Sequence, residues 1–203
     1  MQVRVGSWRK SFHNADMITI SQSPHDQTSS PGRTDIDGTK TPRPAAFQPL
    51  SIGNVNIGFP VVQAALSGYS DLPMRVIARR LGAPYTICEV MLDQFLVALT
   101  KKQKTKHFLD IHPEEHPVGG QLMGAEPDQF SRGALKLVEA GFDIIDVNFG
   151  CPVKKVLGRC RGGFHLSQPD VAIEILKRTR DIVPEHIPVT VKMRRGIDDS
   201  SES

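Results

Sequence analysis

The stretch VGGQLMGAEPDQFSRGALKLVEAGFDIIDVNFGCP, Val118 to Pro152, holds two short apolar runs separated by one amphipathic segment. VGGQLMG and DIIDVNFG each have the length and apolar character of a buried strand. Between them, from Asp128 to Ala140, Phe130, Ala134, Leu137 and Val138 share one face at helical spacing. Strand, covering helix and strand make one parallel β/α unit. How often that unit recurs, and which side chains stand at the strand ends, decides the fold.

The unit recurs on both sides. Upstream, FPVVQAAL from Phe59 reads as a strand, and LPMRVIARRLGA reads as a helix with Met74, Ile77, Ala78 and Leu81 on its apolar face. Pro73 suits a first turn and Gly82 a C-terminal stop. PYTICEV is expected to be the next strand, with a helix from Met91 to about Lys101. Downstream, DVAIEILKRTRDIV aligns Ala172, Ile175, Leu176 and Thr179, and IPVTVKMR is a final strand. Such alternation indicates either a β/α barrel or a doubly wound sheet. LSGYSD, after the first strand, has a single glycine and so lacks a dinucleotide fingerprint. Gln121, Asn148 and Lys192 fall at or near the C-terminal ends of apolar strands, where barrels place their chemistry. The expected fold class is therefore α/β, a partial (β/α)8 TIM barrel of about five parallel strands with intervening helices. Because closure takes eight strands, residues 46–203 are expected to be the N-terminal portion of a barrel, leaving room for a second polypeptide to supply the missing strands.

Residues 1–45 are rich in Ser, Thr, Pro, Gly and Asp and lack an apolar period, so they are expected to be a disordered extension. Met17 is one candidate start. The net charge of +3 permits a polyanionic partner without requiring one. With no apolar run of membrane-spanning length and no signal-peptide core, a cytoplasmic protein is expected. Three cysteines without C-x-x-C spacing suggest neither a disulfide framework nor a zinc ribbon. Cys151, Cys160 and His165 lack a fourth ligand and an established spacing, so no metal is expected.

Several side chains have two readings. Cys151, on the turn that Gly150 and Pro152 make after a strand, is either a small packing residue or a thiol offered to a ligand. Lys192 lies in an otherwise apolar strand and needs a ligand or an ion pair, with Glu89 or Asp146 as candidates. The Gln121 amide offers a donor and an acceptor, as the edge of a flavin-like or uracil-like ring requires, or it is simply satisfied internally. Lys154, Lys155, Arg159 and Arg161 are either phosphate contacts or a solvated basic loop. His107, His112 and His116 read as surface residues, and Asp198 and Asp199 as part of a terminal loop.

In order and spacing, ALSGYSDLPMRVIARRLGA, CEV, GGQLMG, DIIDVNFGCPVKKV and IPVTVKMRRGIDD resemble the tRNA-dihydrouridine synthases from about Phe59 to Asp199. The most specific elements are N-x-G-C-P at Asn148–Pro152 with Gly162 downstream, and K-x-R at Lys192 and Arg194. The resemblance implies an FMN-binding barrel that reduces the C5–C6 double bond of uridine in tRNA, with NADPH as reductant and Cys151 protonating C5. It also implies cofactor-binding roles for Ala65, Leu66, Ser67, Gln121, Asn148, Lys192 and Arg194, with Asn148 also near the uracil and Arg194 near flavin or RNA. The cations of the loop after Cys151 would then face RNA.

Two departures stand out. Ala65 and Leu66 replace the family's Pro and Met in A-P-M-A-G, and Arg159, Cys160 and His165 occupy positions where the family has glycines or apolar residues. The family's later strands add a flavin-side histidine and a phosphate-holding glycine backbone, so weak FMN binding by the isolated chain is expected. The competing expectations are an inactive or RNA-binding remnant, and another FMN barrel oxidoreductase acting on free pyrimidines.

Overall fold

The computed structural model describes residues 47–99 and 107–196. The segment expected to be disordered, the end of the helix expected to reach Lys101, and Asp198–Asp199 lie outside the described residues.

The described chain opens with an antiparallel hairpin, β1 (Leu50–Ile52) and β2 (Val55–Gly58). The sequence reading, which placed its first strand at Phe59, missed it. LSIGNVNIG alternates apolar and polar residues around Gly53-Asn54, and Gly53 takes φ +58° to make the turn. Ile57 is buried against Tyr85 and Ile144, so the hairpin closes the sheet at the N-terminal ends of its strands.

The main sheet contains β3 (Thr86–Ile87), β4 (Met91–Leu92), β5 (Val118–Met123), β6 (Ile144–Phe149) and β7 (Val189–Met193), all parallel. β3 and β4 pair successive parts of the same edge of β5, at Val118–Gly119 and at Leu122–Met123. They form one strand interrupted at Cys88–Val90, whereas the sequence reading ran a single strand through Val90 and began a helix at Met91. At the break the Gln121 N–H donates to Cys88 Sγ at 3.3 Å, so the sulfur replaces the missing ladder acceptor. Chain order and spatial order coincide across the sheet, as in a barrel, with no switch point of a doubly wound fold. The result is a parallel half-barrel.

Two expectations need correcting. FPVVQAAL reduces to a single parallel bridge between Gln63 and Thr86. Beyond it the Ser70 hydroxyl accepts from Leu66 N–H (2.7 Å) and donates to the Ala64 carbonyl (3.2 Å), diverting that backbone from the ladder. Helix α1 (Leu72–Arg80), capped by Asp71 on Met74 N–H, does not bury its apolar face. Ile77 and Leu81 are 57% and 83% exposed, while Arg75 is 2% exposed. Apolar spacing misread this helix because its anchor is charged: Arg75 Nε meets Glu115 Oε2 at 2.5 Å, and its other nitrogens donate to the carbonyls of Ser70 and Asp110.

The remaining helices follow the pattern. In α3 (Pro127–Ala140) Phe130, Ala134 and Leu137 are buried, and in α5 (Pro169–Ile182) so are Ala172, Ile175 and Thr179. With Leu96 of α2 (Asp93–Ala98) they pack on Val118 and Leu122 of β5 and Ile145, Val147 and Phe149 of β6. The two-residue period of the strands sends their alternate residues to the opposite, inner face. That face carries Gly119, Gln121, Ile144, Asp146, Asn148, Thr190 and Lys192, as the strand registers require.

Candidate active site at the mouth of the half-barrel

The inner face is layered. At the base, Ile57, Tyr85, Ile87 and Ile144 form an apolar seal, and Gly119 leaves room for the Tyr85 hydroxyl, which a Cβ there would overlap. Above it, Gln121, Asp146 and Thr190 are register neighbours on β5, β6 and β7, and above them Asn148 pairs with Lys192. Polar side chains begin where the seal ends.

These side chains are joined by hydrogen bonds. Thr190 Oγ1 donates to Asp146 Oδ1 at 2.5 Å, and Gln121 Nε2 donates to Asp146 Oδ2 at 2.6 Å. Asn148 Nδ2 donates to Gln121 Oε1 at 2.9 Å, while Asn148 Oδ1 accepts from the N–H groups of Gly150 (3.1 Å) and Cys151 (3.2 Å). Burial pushes the Asp146 carboxyl above the usual range, against the opposing effects of the Thr190 and Gln121 bonds and the Lys192 charge. Burial likewise pushes the Cys88 thiol up to about 12, so beneath Gln121 it stays protonated.

Cys151 is half-buried on the turn after β6. Its carbonyl accepts from Gly163 N–H at 3.0 Å, and Gly162, at φ +59°, approaches so closely that a Cβ would fall 2.9 Å from Cys151 Cβ. The chain between them forms the short helix α4 (Lys154–Leu157). Gly162 and Gly163 thus supply the close approach in a loop where Arg159, Cys160 and His165 depart from the family's glycines and apolar residues. His165 packs beneath the loop, its Nε2 2.8 Å from the Gly124 carbonyl and its ring 4.6 Å from that of Phe149, and burial lowers its pKa.

The mouth gathers Gln121, Asn148, Lys192 and Cys151, with Arg194 alongside, its Cδ 3.6 Å from the Cβ position of Gly163. Lys192 is exposed, and forms an ion pair with neither Glu89 nor Asp146 within 4.0 Å among the described residues. Of the two readings of Lys192, the ion pair with Glu89 or Asp146 is not formed: β7 is the edge of the described sheet, and Glu89 instead accepts from Gly68 N–H at 2.7 Å. That bond ties the loop of Ala65, Leu66 and Ser67 to the break between β3 and β4, and those of Ser70 close the loop on itself. Lys154, Lys155 and Arg159 are exposed beside Cys151, but Arg161 is only 6% exposed and feels the buried Asp93 carboxyl. The basic surface therefore has three cations here, not four. A separate cleft of about 610 Å³, lined by residues including Glu126, His165 and Glu174, touches none of the mouth residues.

Sequence reasoning considered Asp146 only as a partner for Lys192 and did not consider Ser70 or Arg75 at all. The available signal was an acidic residue at the inner-face position two before Asn148, in an otherwise apolar strand.

Residues 62–203 match the model of the family described as dihydrouridine synthase (Dus). The chain belongs to this family. It is 33% identical over 154 residues to a probable tRNA-dihydrouridine synthase of Rickettsia typhi, covering 76% of this chain and 46% of the relative. It is 36% identical over 163 residues to probable tRNA-dihydrouridine synthase 1 of Synechocystis sp., covering 78% and 44%. The tRNA-dihydrouridine synthase B of Xanthomonas axonopodis pv. citri is 32% identical over 149 residues, with 73% and 44% covered. The chain thus spans just under half the length of these curated relatives.

Among solved structures, histamine dehydrogenase from Rhizobium sp. 4-9 superposes with a TM-score of 0.53 at 14% identity, over 72% of this chain and 32% of that one. Morphinone reductase in complex with tetrahydroNAD superposes at 0.51 and 13%, over 74% and 64%. At such identities the likeness is one of fold. No helix among the described residues is long and apolar enough to cross a membrane.

Proposed function

We propose that this dihydrouridine synthase homologue carries the catalytic mouth of an FMN-dependent oxidoreductase that reduces the C5–C6 double bond of uridine in tRNA. The observation that carries the reading is the grouping of Gln121, Asn148 and Lys192 on adjacent strand ends around the fixed Cys151 turn. Lys192 presents an exposed ammonium, while Gln121, 2% exposed beneath it, has one amide hydrogen and one lone pair beyond its two internal bonds. The amide fits the carbonyl-and-imide edge of an isoalloxazine ring and the ammonium its negative charge, and the exposed Leu66 and Ser67, on the loop that Ser70 holds, are assigned to the face of the ring. When bound and reduced by NADPH, FMN supplies the hydride that reaches C6.

Cys151 holds the proton at Sγ and delivers it to C5 from the other face, leaving a thiolate that is reprotonated between turnovers. Asn148 fixes the backbone of that donor, and Lys192 would hold the flavin by placing its ammonium against the ring's polar edge. Arg194 lies where it can meet flavin or RNA phosphate. Lys154, Lys155 and Arg159 contact tRNA phosphates, and the target base leaves its stack to enter the mouth. Further strands, from a longer form of this chain or from a second polypeptide, would extend the sheet from β7. We assign the reaction to the cytoplasm, one compartment in which tRNA is found.

Fluorescence titration with FMN tests the cofactor half of this reading. Saturable quenching is expected for the parent chain, with weaker binding for Gln121→Ala and Lys192→Ala. Identical curves for parent and variants would remove both residues from the cofactor site.

A further inference from the structure

The hydrogen-bonded series in the mouth has a direction. It begins on the backbone N–H groups of Gly150 and Cys151, which can only donate, and ends on the Asp146 carboxyl, which accepts from two donors. Between them stand two amides, Asn148 and Gln121, whose oxygen and nitrogen ends are nearly the same size and interchange by a simple flip. If Gln121 turned over, its NH2 would face the NH2 of Asn148. Asn148 would then have to turn as well, presenting NH2 to two N–H donors and releasing the turn. With the carboxyl in place, every donor meets an acceptor in only one arrangement.

We propose that Asp146 is a positioning residue that sets this direction and so holds the Cys151 turn, acting through Gln121 and Asn148. The placement is built into the sheet, because Gln121, Asp146 and Thr190 are successive register partners. Asp146 is 5% exposed and has no cation within ion-pair distance among the described residues, so its buried carboxyl is compensated by the two hydrogen bonds it accepts. Its functional meaning rests on the reading of Cys151 as the proton donor.

The test compares Asp146→Leu, similar in shape but with no acceptor, with Asp146→Asn, which loses the charge but keeps an oxygen for Gln121. In a Cys160→Ser background, two readouts are measured: hydrogen exchange of the Gly150 and Cys151 amides, and the rate of Cys151 alkylation by iodoacetamide. In the leucine variant these amides should exchange about tenfold faster, the factor expected for one lost buried hydrogen bond, and alkylation should change with them. Helix α3 amides should be unchanged, and the asparagine variant should stay within about threefold of the parent. Equal protection in the leucine variant would overturn the proposal, because packing alone would then hold the turn. Equal loosening in both variants would also overturn it, because the charge rather than the acceptor would be responsible. If the leucine variant does not fold, a folded asparagine variant decides: parent-like protection supports the proposal and tenfold loosening sinks it. Neither readout needs flavin or tRNA, so failure here is distinguishable from failure of the proposed reaction.

Discussion

Replacing Glu115 with alanine should destabilise the half-barrel more than any surface change. Glu115 is fully buried, and its Oε2 receives Arg75 Nε at 2.5 Å while its Oε1 accepts from His112 N–H at 2.7 Å. Arg75 in turn holds the carbonyls of Ser70 and Asp110 at 2.9 and 3.0 Å. Removing the carboxylate leaves a buried guanidinium uncompensated, which costs about 3–5 kcal/mol. At roughly 2–4 °C per kcal/mol for a chain of this size, the midpoint should fall by about 6–20 °C. Glu115→Gln keeps an acceptor for His112 and should lose less, about 1–3 kcal/mol. Urea and thermal unfolding of parent, Glu115→Ala and Glu115→Gln measure this, with the exposed Arg80–Glu114 pair as control. Glu114→Ala should leave the midpoint unchanged. A Glu115→Ala loss below about 1 kcal/mol would refute the reasoning, since it would mean that water already reaches the pair.

Other outcomes follow from the same geometry. Gly162→Ala should cost about 2–5 kcal/mol, combining left-handed backbone strain with overpacking against Cys151, whereas Gly158→Ala, at φ −65°, should stay within about 1 kcal/mol in urea unfolding. Because burial raises the Asp146 carboxyl, the native state holds its proton more tightly, and this group's contribution to stability falls as pH rises from about 4 through the raised value. Asp146→Asn removes that dependence, so its stability relative to the parent should grow over the same interval in pH-dependent urea unfolding. A relative loss with rising pH would contradict the assignment. Replacing Lys154, Lys155 and Arg159 singly with alanine should each reduce the salt slope of tRNA binding by about one unit or slightly less, while Arg161→Ala should act mainly on stability.

The segments β5, α3, β6, α5 and β7 were legible because α3 and α5 bury one face at helical spacing and the strands between them are short apolar runs. The barrel-mouth positions of Gln121, Asn148 and Lys192 followed from that pattern. Where charged and polar groups do the anchoring, apolar spacing was silent or wrong. Arg75 turns α1 away from its apolar face, and Ser70 pulls residues 64–66 out of the ladder. The interruption at Cys88–Val90 is stabilised by a sulfur acceptor that no propensity anticipates. Asp146 was visible as an anomaly, but its role depends on register: only the pairing with Gln121 and Thr190 shows which donors it serves. Arg161 illustrates the same limit, since four basic residues in one loop look alike until the fold buries one.

The most direct measurement of the central claim is dihydrouridine formation in an unmodified tRNA transcript incubated with the chain, saturating FMN and NADPH, read by mass spectrometry of the digested RNA. Uridine should gain the mass of two hydrogen atoms with the parent chain and show no gain with Cys151→Ala. Equal formation by Cys151→Ala, or none by an FMN-loaded parent, would contradict that claim.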